Sequence, residues 1–208
     1  RISSLYWQPA DGSAEAELLM SRENPVFEAA WTPDGLTLLF RETHSVTGRD
    51  LWYTRLGADR EPQPILVSRF DDESPAISPD GRWLAYNSNE SGRREVFVRP
   101  FPGPGARWQV STDGGQEPIW ARNGEELFYR GNEGVVAARV RTSPTFAILE
   151  RAVLFRDEFV GNNSHANYDV HPDGRRIVMV APAEAPAQVV VVLNWIAELK
   201  ARVATGRR

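Results

Sequence analysis

One phrase recurs along this chain and restricts what it can fold into: a short strand-like segment, a Pro-Asp-Gly turn, then an apolar run. It reads Ala30-Trp31-Thr32-Pro33-Asp34-Gly35 before Leu36–Phe40, and Ala76-Ile77-Ser78-Pro79-Asp80-Gly81 before Arg82–Tyr86. A degenerate copy, Ile119-Trp120-Ala121-Arg122-Asn123-Gly124, precedes Glu125–Tyr129, and Asp169-Val170-His171-Pro172-Asp173-Gly174 precedes Arg175–Val180. The turn glycines Gly35, Gly81, Gly124 and Gly174 lie 46, 43 and 50 residues apart. Each phrase specifies a tight hairpin. Proline fixes φ at about −65°, the aspartate bonds its own backbone, and glycine supplies a positive φ.

After each hairpin comes a polar, usually Gly-containing turn and a third strand. Examples are Thr47-Gly48-Arg49-Asp50 before Leu51-Trp52-Tyr53, and Ser91-Gly92-Arg93-Arg94-Glu95 before Val96-Phe97-Val98. In the third repeat Gly131-Asn132-Glu133-Gly134 precedes Val135–Val140, and in the fourth a strand is expected over Val189–Leu193. A fourth, outer strand follows in three repeats, at Pro64–Val67, Trp108–Val110 and around Ala152–Phe155. Four strands in 40-odd residues, repeated in tandem, is the signature of β-propeller blades. The sequence therefore predicts an all-β propeller domain over 1–208, with blades at about 28–67, 74–111, 117–156 and 167–194. A half blade is expected over 5–20, where Leu5-Tyr6-Trp7-Gln8 and Ala16–Met20 flank the turn Pro9-Ala10-Asp11-Gly12. Asn194 as an N-cap, with Ile196, Leu199 and Val203 on one face, predicts a short C-terminal helix over 194–203.

The count comes to about four and a half blades, and a propeller leaves sheet edges exposed unless its ring closes. Three solutions stand open. The N-terminal outer strand completes the last blade in a small ring, the chain is a piece of a larger propeller, or a second copy completes the ring by self-association. A start at Arg1, with no Met and no signal-like segment, predicts a chain processed or excised from something longer.

Composition limits the partners. A net charge of −4 lacks the basic footprint of a nucleic-acid binder, and acidic residues separate the pairs Arg93-Arg94, Arg175-Arg176 and Arg207-Arg208. The absence of cysteine removes disulfides and thiolate metal sites. No run approaches the ~18 apolar residues of a membrane span. Lys200 is the single lysine among 24 basic residues, which fits a GC-rich bacterial genome.

Residues Glu73–Arg99, with Ser78-Pro79-Asp80-Gly81-Arg82-Trp83-Leu84-Ala85-Tyr86 and the Ser-Gly-Arg turn at Ser91, strongly resemble the TolB-like repeat, also called PD40 or WD40-like. The resemblance extends over residues 5–195 or so, with Arg122-Asn123 as the one turn that departs from Pro-Asp. The closing Val190–Lys200 resembles the C-terminal end of the sensor regions on bacterial membrane-bound Ser/Thr protein kinases. There a cytoplasmic kinase precedes the membrane span and the propeller follows it. That resemblance implies a non-enzymatic sensory or protein-binding module in an extracytoplasmic, periplasmic position. The kinase motifs themselves are absent from this sequence.

Aligning the repeats on their turns brings out one recurring polar position, three residues before the inner apolar residue: Glu28, Ser74, Glu117 and Asn167. It is expected at one mouth of the channel, where propellers commonly bind ligands. Asp72, Glu73 and His165 are expected beside it, with Asp71, Gln116, Asn162 and Asn163 near. The bland reading is a solvated rim that caps strand ends. The sharper one is a ligand rim whose oxygens hold Ca²⁺ or Mg²⁺, with no other cofactor implied. His171 takes the place of Ser78 in its repeat and reads as a turn residue, and His44 completes the histidines. The seven tryptophans read as packing between blades rather than as a carbohydrate-stacking surface.

No catalytic residue is assigned. The Gly-x-Ser-x-Gly elbow of propeller-capped peptidases is absent. Two readings remain beside the binding module. One is a hydrolase lobe or glycosidase-like ring, which would cluster carboxylates about 5 to 9 Å apart at a channel mouth. The other is a truncated product that folds by self-association.

Overall fold

In the computed structural model, which describes residues 2–57, 60–161 and 165–182, every regular element is a β-strand. A two-stranded hairpin, β1 (Ser3–Trp7) with β2 (Glu17–Arg22), comes first. Three four-stranded antiparallel sheets follow, each in simple up-and-down order. The first is β3 (Val26–Trp31), β4 (Thr37–His44), β5 (Gly48–Arg55) and β6 (Gln63–Leu66). The second is β7 (Asp72–Ile77), β8 (Trp83–Ser88), β9 (Glu95–Pro100) and β10 (Trp108–Gln109). The third is β11 (Gln116–Trp120), β12 (Glu126–Gly131), β13 (Gly134–Arg141) and β14 (Ala147–Phe155). A second hairpin, β15 (Tyr168–Val170) with β16 (Ile177–Met179), ends the described residues. The outer strand β14 is longer than the segment around 152–155 that the sequence indicates. The strand expected over Val189–Leu193 and the helix expected over 194–203 lie outside the described residues.

The repeated turn forms four times with the same bonds. Gly35, Gly81, Gly124 and Gly174 have φ of 67 to 74°, a region open to glycine. Their amides donate to Thr32, Ser78, Ala121 and His171 carbonyls at 2.8 to 2.9 Å. The side chain just before each glycine accepts the amide two residues on: Asp34 from Leu36 at 3.0 Å, Asp80 from Arg82 at 3.1 Å and Asp173 from Arg175 at 2.8 Å. Asn123 does the same for Glu125 at 3.0 Å, so the degenerate copy keeps the turn with an amide oxygen in place of a carboxylate.

Because neighbouring residues on a strand point to opposite faces, a sheet that stands between two others buries two apolar faces, one against the blade before and one against the blade after. Leu39, Leu51 and Ile65 of the first complete blade pack on Leu84, Tyr86 and Phe97 of the second. Trp83, Ala85 and Val98 then meet Trp120, Leu127 and Tyr129 of the third. Phe128, Val135 and Ala137 meet Tyr168, Ile177 and Met179 of the C-terminal hairpin. The N-terminal hairpin leans on the first complete blade through Arg22–Glu42 at 2.6 Å and Arg60–Glu17 at 3.0 Å, with the Arg22 guanidinium over the Trp52 ring.

Interior packing of the aromatics holds at Trp83 and Trp120, which are buried. It does not hold at Trp7 and Trp31, which are exposed. The reason is positional, since Trp31 lies on the face of the first complete blade that no complete blade among the described residues covers.

Candidate functional site

Glu28, Ser74 and Glu117 are the described non-glycine residues with positive φ, at 50, 51 and 55°. Each lies within an innermost strand, β3, β7 or β11. At each, the pairing with the next strand slips, between Phe27 and Ala30, Glu73 and Ala76, and Gln116 and Ile119. A left-handed residue inside a strand is uncommon and strained, and a bulge of this kind re-aims the side chain that follows it.

The re-aimed groups tie one blade to the next. The Ser74 amide donates to Glu28 Oε2 at 3.3 Å, and the Asn167 amide donates to Glu117 Oε2 at 3.0 Å. A residue at one repeat position thus accepts the amide of the same position one blade on. Serine is too short to repeat the clasp between the second and third complete blades. There Asn87 Oδ1 accepts the Glu117 amide at 3.4 Å instead.

A second repeat position completes the network. Arg41, Asn87 and Arg130 each lie six residues after the turn glycine of their repeat. Arg41 Nε donates to Glu28 Oε2 at 2.7 Å. Asn87 Nδ2 donates to Glu73 Oε2 at 3.2 Å. Arg130 stands 3.7 Å from Glu117 Oε2 and is pinned by Asp157, at 2.5 and 2.8 Å, and by the Val160 and Phe159 carbonyls, at 2.6 and 2.9 Å. Tyr168 Oη donates to the Glu117 carbonyl at 2.7 Å. These partners form a second recurring polar column in the sequence, and its spacing from the turn glycine is the signal that marks them.

The other expected rim residues fall around this network. Glu73 is fully buried and paired with Arg49 and with Arg94, the latter at 3.0 Å. Asp72 is buried with its carboxylate against the Ser68 and Ser88 hydroxyls, and desolvation raises its pKa from 3.8 to about 7, helped by the charges of Glu90 and Asp50. Burial also raises Glu28, against the opposing pull of Arg41. His165 is exposed, two residues before Asn167. Asn162 and Asn163 lie outside the described residues. His171 stands in its turn, 2.9 Å from Asp173, and His44 Nδ1 accepts the Val46 amide at 3.2 Å. Among the described residues, no group of three or more His, Asp or Glu is arranged to hold a metal ion. Glu28 Oε1 and Ser74 Oγ are buried without a hydrogen-bond partner among the described residues.

The same repeat geometry exposes a different surface at the two ends of the blade series. Trp120 and Trp31 share a repeat position. Trp120 is 8% exposed and donates from Nε1 to the Ala76 carbonyl of the preceding blade at 3.1 Å, whereas Trp31 is 45% exposed. Phe27, Leu36, Tyr6 and Trp7 are exposed as well. At the other end, Val178 occupies the position of Leu39, Ala85 and Phe128. Those three are 0% exposed and Val178 is 46% exposed.

No family model matches the chain. A tricorn protease homologue of Streptomyces coelicolor is 36% identical over 77 residues, which is 35% of this chain and 6% of that protein. TolB from Acinetobacter baumannii superposes with a TM-score of 0.65 at 15% identity, over 90% of this chain and 45% of that one. A protein described as TolB from Agrobacterium tumefaciens gives 0.64 at 20% identity, over 86% of this chain and 62% of that one. The same fold also occurs in an enzyme, an oligogalacturonate lyase in complex with manganese, at a TM-score of 0.64 and 14% identity. The chain thus spans less than two thirds of each of these proteins, and the likeness to the solved structures is one of fold. That fold is the TolB-like β-propeller.

Proposed function

We propose that this chain, being built on the TolB-like propeller fold, is a non-catalytic interaction scaffold: the sensory or partner-binding part of a larger bacterial protein, in an extracytoplasmic position. Its binding surface is the face of the first complete blade that carries Trp31. The observation that carries this reading is the contrast between Trp31 and Trp120, one repeat position in two environments. An exposed tryptophan on a rigid scaffold is a common anchor of protein contact. The rim supports the reading from the other side. The carboxylates of Glu73 and Glu117, and one oxygen of Glu28, are engaged in bonds to arginines, amides and the next blade. A hydrolase would need such groups turned toward a substrate.

The test is a photoreactive residue placed at position 31 of the whole protein in its cell, against the same residue at position 122 in a turn. Protein adducts are expected from position 31 and not from position 122. A naked position 31, with no adduct under any condition, would overturn the proposal.

A further inference from the structure

We infer that Asn123 is a site of spontaneous covalent modification, where the turn of the third repeat loses its side-chain amide and becomes an aspartyl turn like the other three. Asn123-Gly124 is the one Asn-Gly pair in the sequence. Asparagine is among the chemically labile residues, and a following glycine, having no Cβ, lets the backbone close on the side chain.

The step is an internal acyl transfer. Gly124 N attacks Asn123 Cγ, the new N–Cγ bond closes a five-membered succinimide, and the Cγ–Nδ2 bond breaks. Nδ2 leaves as ammonia, taking the proton that Gly124 N gives up. Water then opens the ring. Attack at Cγ breaks the new bond and yields aspartate. Attack at the main-chain carbonyl of residue 123 breaks the original peptide bond and yields isoaspartate, with the chain now running through Cγ. Nothing is oxidised or reduced.

Four turns built alike differ in how firmly they hold this side chain. In three of them two devices hold it. Pro33, Pro79 and Pro172 fix the backbone just before it. The first residue of the turn braces the carboxylate: Thr32 Oγ1 donates to Asp34 Oδ1 at 2.6 Å, Ser78 Oγ donates to Asp80 Oδ1 at 2.5 Å, and His171 Nδ1 stands 2.9 Å from Asp173 Oδ1. The third repeat has neither device. Arg122 replaces the proline, and Ala121 has no group to donate.

Asn123 is exposed, and the bonds of its side chain run to one neighbour. Oδ1 accepts the Glu125 amide at 3.0 Å, and Nδ2 lies 3.4 Å from Glu125 Oε2. The bond to Oδ1 draws electron density from Cγ, the atom under attack. One bond restrains the nucleophile: Gly124 N donates to the Ala121 carbonyl at 2.9 Å, and this bond gives way as the ring closes. Every repeat has that bond, so the missing proline and the missing brace are what set this turn apart. The aspartyl product fits the turn, since Asp34, Asp80 and Asp173 accept the corresponding amide. Isoaspartate adds a main-chain atom and breaks it.

The experiment follows the whole folded chain through incubation in mildly alkaline buffer. Trypsin cuts after Arg122 and Arg130, and the fragment between them holds Asn123 as its single side-chain amide. Modification makes that fragment heavier by about one mass unit, and isoaspartate shifts its retention. A gain that grows with time is expected there, ahead of the fragments that carry Asn87, Asn89, Asn132 and Asn167. Ala121→Ser restores the brace at a position where Ser78 is equally buried. It should slow the reaction about fivefold, the weight of one added hydrogen bond. Arg122→Pro restores the proline and should also slow it, which keeps the test open if the serine variant does not fold. No gain at Asn123 by the time the chain in urea is mostly converted would overturn the inference, because the turn then protects its amide. Equal rates in the parent and the restored variants would overturn it as well, because the missing devices are then not the cause.

Discussion

At the joint between the third complete blade and the C-terminal hairpin, Arg130 sits among two acids and two carbonyls, and the Asn167 amide closes the clasp on Glu117. At the joint between the first and second complete blades the balance is different. Glu73 has its two arginines, but Asp72 beside it faces hydroxyls and the charges of Glu90 and Asp50. Glu28 keeps Arg41 and the Ser74 amide on one oxygen, while its other oxygen is buried without a partner among the described residues. The two joints share one backbone device and differ in electrostatic completeness. The difference separates two jobs of a blade joint: apolar faces give the adhesion, and the polar clasp fixes angle and register. A fold can tolerate an incomplete clasp where the apolar contact is good.

Breaking the balanced joint should have the largest effect. Arg130→Ala removes the cation shared by Glu117 and Asp157, both mostly buried, and leaves two carboxylates without it. Loss of one member of a buried pair costs about 3–5 kcal/mol. The urea midpoint should fall accordingly, and Arg130→Lys should recover only part of it, because a point charge cannot copy the forked contact to Asp157. A loss below about 1 kcal/mol would mean that water reaches the acids and the clasp is ornamental.

Relieving the unbalanced joint comes next, with the opposite sign. The Asp72 carboxyl ionises at about 7 in the folded chain, against 3.8 for an ordinary aspartate. Above the folded value the ionised acid destabilises the protein. That penalty shrinks as pH falls from 7 toward 4, and below the ordinary value both states are protonated and it is gone. Asp72→Asn should therefore stabilise the protein at pH 8 by up to roughly 4 kcal/mol, and should match the parent near pH 4. Urea unfolding at the two pH values checks this. An equal gain at both would locate the effect in packing rather than in charge.

How much of this was legible beforehand follows from how local each signal is. The four hairpins are written in contiguous turn residues, so Pro33-Asp34-Gly35 and its copies specify them without reference to the rest of the fold. The rim position also showed itself, because Glu28, Ser74 and Glu117 recur seven residues before the turn glycine of their repeats. Their left-handed backbone and their bonds to the next blade did not show. The accepted amides lie 46 and 50 residues away in sequence, and polarity alone does not tell a ligand rim from a clasp. Arg41, Asn87 and Arg130 form an equally regular column, but its meaning depends on strand register. Trp31 was the hardest case: its residue type matches Trp120, and only the order of blades in space leaves it uncovered.

The smallest expected effect isolates the backbone device from its chemistry. Ser74 has the same left-handed conformation as Glu28 and Glu117, at φ 51°, but its hydroxyl is buried without a partner among the described residues and its amide, not its side chain, makes the clasp. Ser74→Gly keeps that amide and removes both the unpartnered hydroxyl and the strain of a side chain in a region that costs about 1–2 kcal/mol. Against this stands the extra freedom of glycine in the unfolded chain, about 0.5–1 kcal/mol. The net is a gain of about 1 kcal/mol, a rise in melting temperature of roughly 2–4 °C for a domain of this size. Glu117→Gly, which relieves the same strain but removes the clasp, should lower it. If Ser74→Gly also lowers it, the hydroxyl has a partner in solution, and the mouth between Glu28 and Ser74 becomes the place to look for a bound water or ion.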